Sequence, residues 1–163
     1  MAQNQVNVDI LQQNLGIIQM TLADMSDADL AQRPVPKANN GLWQLGHLIA
    51  SEARMVNGCA GKTVIELPAG FAEKYTKETA SVDDQATLGA KGDLLALLEK
   101  VRGNTCQWVA TLTAADLAKP APEGVRSRFP TVGHLLLVMP SHTAMHIGQM
   151  QVLRRKLGKP LLF

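Results

Sequence analysis

The stretch "TAADLAK" at 113–119 decides the fold, because a near copy of it, "SDADLAQ", stands at 26–32. At the same offset of 87 residues, "GHL" at 46–48 falls on "GHL" at 133–135. Either match alone is within reach of chance; two at one offset mark an internal repeat. Each copy opens on a residue, Ser26 or Thr113, whose hydroxyl suits a helix N-cap. Each half of the chain therefore reads as a helix, an "ADLA" turn, a proline-containing loop and a second helix that begins before "GHL".

Apolar spacing extends this reading along the chain. The first helix is expected over 6–24, where Ile10, Leu11, Ile17, Ile18, Thr21 and Leu22 form a stripe. The second is expected over 41–57, from "GLWQLGHL" to Asn57-Gly58. The third spans 87–112, with "DLLALLEKV" as its clearest part, and the fourth spans 131–157. A basic last turn followed by Gly158 and Pro160 is a good stop for the fourth. β-branched runs are short and aromatic residues make up only 4% of the chain, so strands are not expected. The connection at 58–86 is too long for a structureless loop in a compact domain unless it crosses the molecule or covers a site. The expected architecture is all-α: a four-helix bundle of two helical hairpins joined by a long crossover loop, with 1–163 as one domain.

Bulk properties exclude several functions. The net charge is +2 and no long basic block occurs, so nucleic acid is not an expected partner. The run "RRKLGK" at 154–159 complements the C-terminal dipole of the fourth helix. The longest apolar runs are about five residues, far from the roughly 20 of a membrane helix. The first 25 residues lack the pattern of a signal peptide. Cys59 and Cys106 belong to no paired motif. A cytoplasmic protein with reduced thiols is the expectation. No phosphate loop or Ser/His/Asp constellation is visible.

The chemistry lies in the histidines. The chain has four, and "SHTAMHIGQ" at 141–149 holds two of them at the spacing i, i+4. On a helix that spacing leaves about 40° between side chains, so His142 and His146 share a face. Two imidazoles so placed suit adjacent corners of one metal's coordination sphere. The spacing equally suits two histidines on a solvated or half-buried face. Thr143 stands where a zinc-protease motif carries its glutamate, so that general base is missing. His134 lies eight residues before His142, about 12 Å along the helix, too far to share an ion with both. It is expected to bond a backbone carbonyl or solvent. His47, on the second helix and next to the fourth in most two-hairpin bundles, remains as the third ligand. Pro140 removes a backbone bond just before the pair and frees the Leu136 carbonyl. Gly148 suggests a close helix approach beside His146.

Three neutral imidazoles leave at least one position of a divalent ion open, the pattern of a catalytic rather than a structural site. Such an ion lowers the pKa of bound water to about 7 or holds a thiol as thiolate. Nickel and zinc both accept this ligand set. Ser51 and Arg54 follow His47 at one and two turns, and Gln149 follows His146 by three residues. Ser51 suits a supporting role at the ligands, Arg54 suits an anionic substrate, and Gln149 suits orientation of a water or an imidazole N–H. Glu52 points about 140° away from His47 and is a poor general base. Trp43 and Trp108 read as packing residues.

The segments "GLWQLGHL", "SEARM", "LPAGFAEKY", the "ADLA" turn and "SHTAMHIGQMQVLRR" together resemble the DinB-like superfamily over roughly 6–157. The resemblance implies a bundle in up-down-down-up order and a divalent metal held by three histidines, which fall on His47, His142 and His146. It implies a homodimer, and an enzyme of the thiol S-transferase kind acting on a small molecule with a low-molecular-weight thiol as cofactor. Hydrolysis is the other reaction such a metal supports. Members often carry a second histidine directly before the last ligand, and this chain has Met145 there. The alternative is a non-catalytic metal-binding stress-response or binding module, in which the metal only ties the second and fourth helices. The absent fourth ligand favours catalysis, and the absent general base favours the module.

Overall fold

The computed structural model describes residues 2–160 and Leu162. Four long helices carry the fold: α1 (Ala2–Leu22), α3 (Gly41–Ala60), α5 (Lys91–Thr111) and α8 (Val132–Lys156). Between them lie four short ones: α2 (Asp27–Leu30), α4 (Gln85–Leu88), α6 (Ala114–Ala118) and α7 (Glu123–Arg126). Two single-turn 3-10 helices, Ala72–Tyr75 and Lys77–Thr79, sit in the long connection.

The repeat is visible in the short helices. Ser26 caps α2 and Thr113 caps α6, and in both cases the aspartate three residues on returns a bond to the cap's own N–H. Asp29 and Asp116 thus close the same reciprocal capping box, in which two orphan donors are satisfied at once.

α1 packs against α5 and α8, and α3 packs against the same two. Walking around the bundle therefore gives α1, α5, α3, α8. Their directions follow from side-chain bonds. Asn4 at the start of α1 bonds the carbonyl of Leu112 at the end of α5, so these two run antiparallel. Asn14 donates to Pro140 O (2.9 Å) and Arg154 to Thr21 O (2.7 Å), so α1 and α8 run parallel. Gln44, near the start of α3, meets His146 in the second half of α8, while Gly58 near its end meets Pro122 just before α8. The order is up-down-down-up, a four-helix bundle as expected.

The core is a continuous cluster of Leu, Ile, Val and Met from all four long helices. Fully burying each such side chain contributes about 1.5–3 kcal/mol. One polar group crosses it. The buried Arg102 of α5 reaches Glu52 of α3 at 2.8 and 2.9 Å, Thr143 of α8 at 3.3 Å and the Leu11 carbonyl of α1. A buried charge is tolerated only when paired and hydrogen-bonded, and here one guanidinium finds a partner on each of the other three helices.

Boundaries differ from the periodicity by more than one residue in three helices. α1 begins at Ala2 rather than 6 and ends at Leu22 rather than 24. The third helix starts at Lys91 rather than 87, because Gly89 at φ 83° breaks the run and leaves Gln85–Leu88 as a separate turn capped by Asp84. α3 continues three residues past 57, to Ala60, where Gly61 at φ 65° ends it in the left-handed conformation that glycine adopts without strain. α8 runs unbroken through Pro140. The 58–86 connection folds back along α3. Asn57 holds its near end through Val64, Ile65 and the Ile65 carbonyl, and Asn40 holds its far end through Val82 and Asp83.

Candidate metal centre

His47 stands in the second turn of α3, and His142 and His146 stand one turn apart on α8. The three rings meet, with centroids 4.8–5.4 Å apart. One nitrogen from each lies within 4.8 Å of the others, and Nε2 of His142 and Nε2 of His146 are 3.2 Å apart. Two nitrogens on one tetrahedral zinc, each at about 2.1 Å, lie roughly 3.4 Å from each other. The His142–His146 spacing therefore fits one shared ion, and a nitrogen of His47 stands within 4.8 Å of both.

The opposite edges of two rings are fixed by acceptors. Nδ1 of His47 faces the carbonyl of Tyr75 at 3.2 Å. Nδ1 of His146 faces Oε1 of Gln44 at 3.2 Å. Gln44 is fully buried, and its NH2 group donates to Asn39 O (2.8 Å), which turns the amide oxygen toward His146. A carbonyl can only accept, so both histidines carry their proton on Nδ1 and turn an Nε2 lone pair inward. Such partners set ring orientation and raise ligand basicity.

The electrostatics keep the rings neutral. Burial lowers His142 to about 4, helped by His47 and by the Arg54 charge. Burial lowers His146 to about 3, with the neighbouring His142 and His47 adding to the effect and Gln149 opposing it. His47 is also lowered, first by burial and then by Arg54 and Lys77, against the pull of the Tyr75 carbonyl. At neutral pH all three offer lone pairs, the form a metal needs.

The site depends on one glycine. A Cβ on Gly46 would stand 2.1 Å from the Tyr75 ring, so only glycine lets that ring lie flat on α3. The Tyr75 hydroxyl is anchored on Leu88 O at 2.5 Å. Gly46 thereby delivers the Tyr75 carbonyl to the adjacent His47. The close approach lies here and not at Gly148, which has no neighbour within 4 Å. Trp43, one turn before His47, stacks on its ring at 4.7 Å and 9°. It is more than packing, because it holds the plane of an imidazole.

The other expected residues fall at different distances from the centre. Ser51 is buried, with Oγ 3.4 Å from Nε2 of His47. Arg54 lines the cavity that opens from His47 to solvent. Gln149 does not line it; it borders a separate groove with Pro34 and Val152. Glu52 is held by Arg102, away from the rings. Thr143, between the two ligating positions of α8, bonds Arg102 and the Met139 carbonyl. His134 is exposed and bonds the hydroxyl of its own helix cap, Thr131, at 2.8 Å, rather than a carbonyl. The cavity itself, about 540 Å3, is walled by Ala50, Ser51 and Arg54 of α3 and by Ala72, Glu73 and residues 75–78 of the connection. The long loop thus does cover a site.

Gln44, Gly46 and Tyr75 were missed in the sequence. Gly46 had a signal, since glycine inside a helix costs about 1 kcal/mol relative to alanine and asks for a packing reason. The Tyr75 contribution is a main-chain carbonyl and leaves no residue-type signal.

Fold and site together define an all-helical bundle with a partly buried three-histidine cluster, one member of which, His47, lines an open cavity. The DinB superfamily model matches residues 10–150, and the chain belongs to that family. Among solved structures, YfiT from Bacillus subtilis, described as a probable metal-dependent hydrolase with an unusual four-helix bundle topology, aligns with a TM-score of 0.68. Its identity is 18%, over 98% of this chain and 90% of that one. A conserved protein from Enterococcus faecalis aligns with a TM-score of 0.73 and 17% identity, over 95% of this chain and 97% of that one. At these identities the likeness is one of fold. No curated protein sequence matches the chain at a significant level.

Proposed function

We propose that His47, His142 and His146 hold one divalent ion, nickel or zinc, and that the protein is a metal-dependent enzyme acting on a small molecule. The observation that carries this reading is the convergence of three neutral imidazoles, two with their protons fixed outward, one of which, His47, also lines a cavity open to solvent. A divalent ion held there supplies Lewis-acid activation of a thiol or a water at neutral pH. The chain's own residues do the rest. Tyr75 O and Gln44 hold the imidazoles in the ligating tautomer, Trp43 fixes the ring of His47, and Ser51 offers a hydroxyl beside it.

Of the two reactions, thiol S-transfer is favoured. Hydrolysis calls for a base to take the proton of water, and among the described residues no carboxylate joins the histidine cluster. Glu52, the carboxylate nearest in sequence to His47, is committed to Arg102. A thiol gives up its proton far more easily than water does, so it needs less help. Hydrolysis is the second reading, supported by the description of YfiT. A purely structural metal is disfavoured because the Arg102 network and the apolar core already join α3 to α8.

The same reading makes the protein cytoplasmic, where a low-molecular-weight thiol is abundant. No described helix is long and apolar enough to cross a membrane. It also makes the protein a homodimer formed by the neighbouring α1 and α8, whose outer faces expose Val6, Ile10 and Met20 beside Leu137, Met145 and Val152. Sedimentation at several concentrations checks this, with a Met20→Lys variant expected to shift the mass to a monomer. The 1–163 chain is read as one domain. The functional test is a screen of nickel- and zinc-loaded protein against low-molecular-weight thiols paired with electrophiles, alongside ester and amide substrates. Turnover that requires the thiol and is lost in His142→Ala supports transfer. Turnover of esters or amides without a thiol supports hydrolysis. No turnover, with a large stability loss on chelation, supports the structural module.

A further inference from the structure

We propose that the cavity lined by His47 is built for a small organic anion, with the charged group of the substrate held by Arg54 and Lys77 and its reacting end at His47, where the cluster begins. The proposal deepens the enzymatic reading above and rests on it for the identity of the reacting end.

Four features carry it. His47, Ser51 and Arg54 occupy positions i, i+4 and i+7 of α3, so they form one line along a helix face that runs from the cluster outward. Lys77 comes from the opposite wall, on the 3-10 turn that follows Tyr75, whose carbonyl bonds His47. Among the described residues, neither Arg54 nor Lys77 makes an ion pair. Neither is engaged in a side-chain hydrogen bond among the described residues; Lys37, Lys62, Lys74, Lys100, Arg128 and Arg155 share that state, but none of these lines the cavity. Unpaired cations at a cavity leave their donors for a ligand.

On the α3 wall, which carries His47, the charged side chain is Arg54. Glu73 and Glu78 line the cavity from the connection, the wall that also carries Lys77. Between the cations and the cluster the wall is uncharged, formed by Ala50, Ser51 and Tyr75. A volume of about 540 Å3 lies within the range of small-molecule sites and accepts a short apolar body. A guanidinium presents a planar fork that matches carboxylate or phosphate oxygens two at a time. This geometry selects a substrate with an anionic group at one end and a reactive centre at the other.

The test uses phenylacetate and phenyl phosphate as anionic probes and phenylacetamide as the neutral counterpart of the acid. Each is titrated into the metal-free and the zinc-loaded full chain, followed by NMR shifts of the arginine Nε–H and backbone signals. At least one anion is expected to bind about ten- to hundredfold more tightly than phenylacetamide, with shifts at Arg54. Arg54→Ala is expected to remove that preference while zinc content stays at the native level, and Arg54→Lys to restore part of it. Lys77→Ala is expected to weaken the anion by roughly two- to fivefold, within the range of an exposed charge contact. Binding that ignores the probe's charge, no anion binding in the native protein, or an anion preference that survives Arg54→Ala overturns the proposal. Its failure is separable from that of the metal reading. His47→Ala, which removes a proposed ligand, is expected to lose zinc and keep the anion preference.

Discussion

The two "GHL" copies place their histidines in opposite surroundings. His47 lies seven residues into its helix, half-buried, stacked on Trp43 and bonded to the Tyr75 carbonyl. His134 is the third residue of its helix, exposed, and serves the cap Thr131. The glycines differ in the same way. Gly46 is pressed against an aromatic ring, whereas a Cβ on Gly133 would meet nothing closer than the Leu117 carbonyl at 3.2 Å. The cause is a shift in where the helices begin. At the repeat offset, the start of α3 at Gly41 falls on position 128, but α8 begins only at Val132, four residues later. The same tripeptide therefore occupies a different turn: both leucines are buried, but only the first copy turns its histidine away from solvent. Similar sequence gives the same local device in the capping boxes of α2 and α6, which need nothing beyond their own turn. It gives different outcomes wherever the neighbours come from far along the chain.

The difference between the histidines gives the largest expected effect. His47→Ala should weaken zinc or nickel binding by at least about a hundredfold in a chelator competition, and His134→Ala should leave it unchanged. Equal losses would mean that the two copies are functionally alike. Next comes Gln44→Leu, which removes the acceptor for His146 Nδ1 without touching a proposed ligand. Metal affinity should fall roughly ten- to hundredfold, while Thr131→Ala, which removes the partner of His134, should not alter it.

Stability effects are smaller. Gly46→Ala should destabilise by about 1–3 kcal/mol in urea unfolding, because the Tyr75 ring is anchored at its hydroxyl and must shift. Gly133→Ala should stay within about 1 kcal/mol of neutral, since added helix propensity offsets a tight contact. Ser26→Ala and Thr113→Ala should each cost about 1 kcal/mol, alike in the two halves.

The pH dependence has a definite sign. His142 and His146 titrate lower in the folded chain than their ordinary 6.5, at about 4 and about 3. Between those values the unfolded state holds more protons, so the metal-free protein should lose stability as pH falls from about 6.5 toward 4. A loss confined to pH above 6.5 would contradict the neutral state of His142 and His146.

Much of this was legible from residue spacing. Helical periodicity located all four long helices, and the distance of His134 from His142 excluded it from the cluster without any structure. The i, i+4 rule put His142 and His146 on one face, and bundle geometry brought His47 to them. What was not legible depends on partners distant in sequence. Gln44 acquires its role from His146, 102 residues away. Arg102 reads as one more charge at the end of "DLLALLEKVR", and only the packed bundle shows it to be the buried partner of Glu52. Trp43 was recognisable as packing. Its stacking on His47 follows from i, i+4 spacing, but the parallel ring geometry is set by the loop that closes over both.

The measurement that tests the central claim most directly is the metal content of the native chain, purified without an affinity tag and assayed by mass spectrometry of its elements. One divalent ion per chain, as isolated or after incubation with nickel or zinc, is the predicted result. A protein that takes up neither ion after reconstitution would contradict it, and the three imidazoles would then be a packed cluster and not a metal centre.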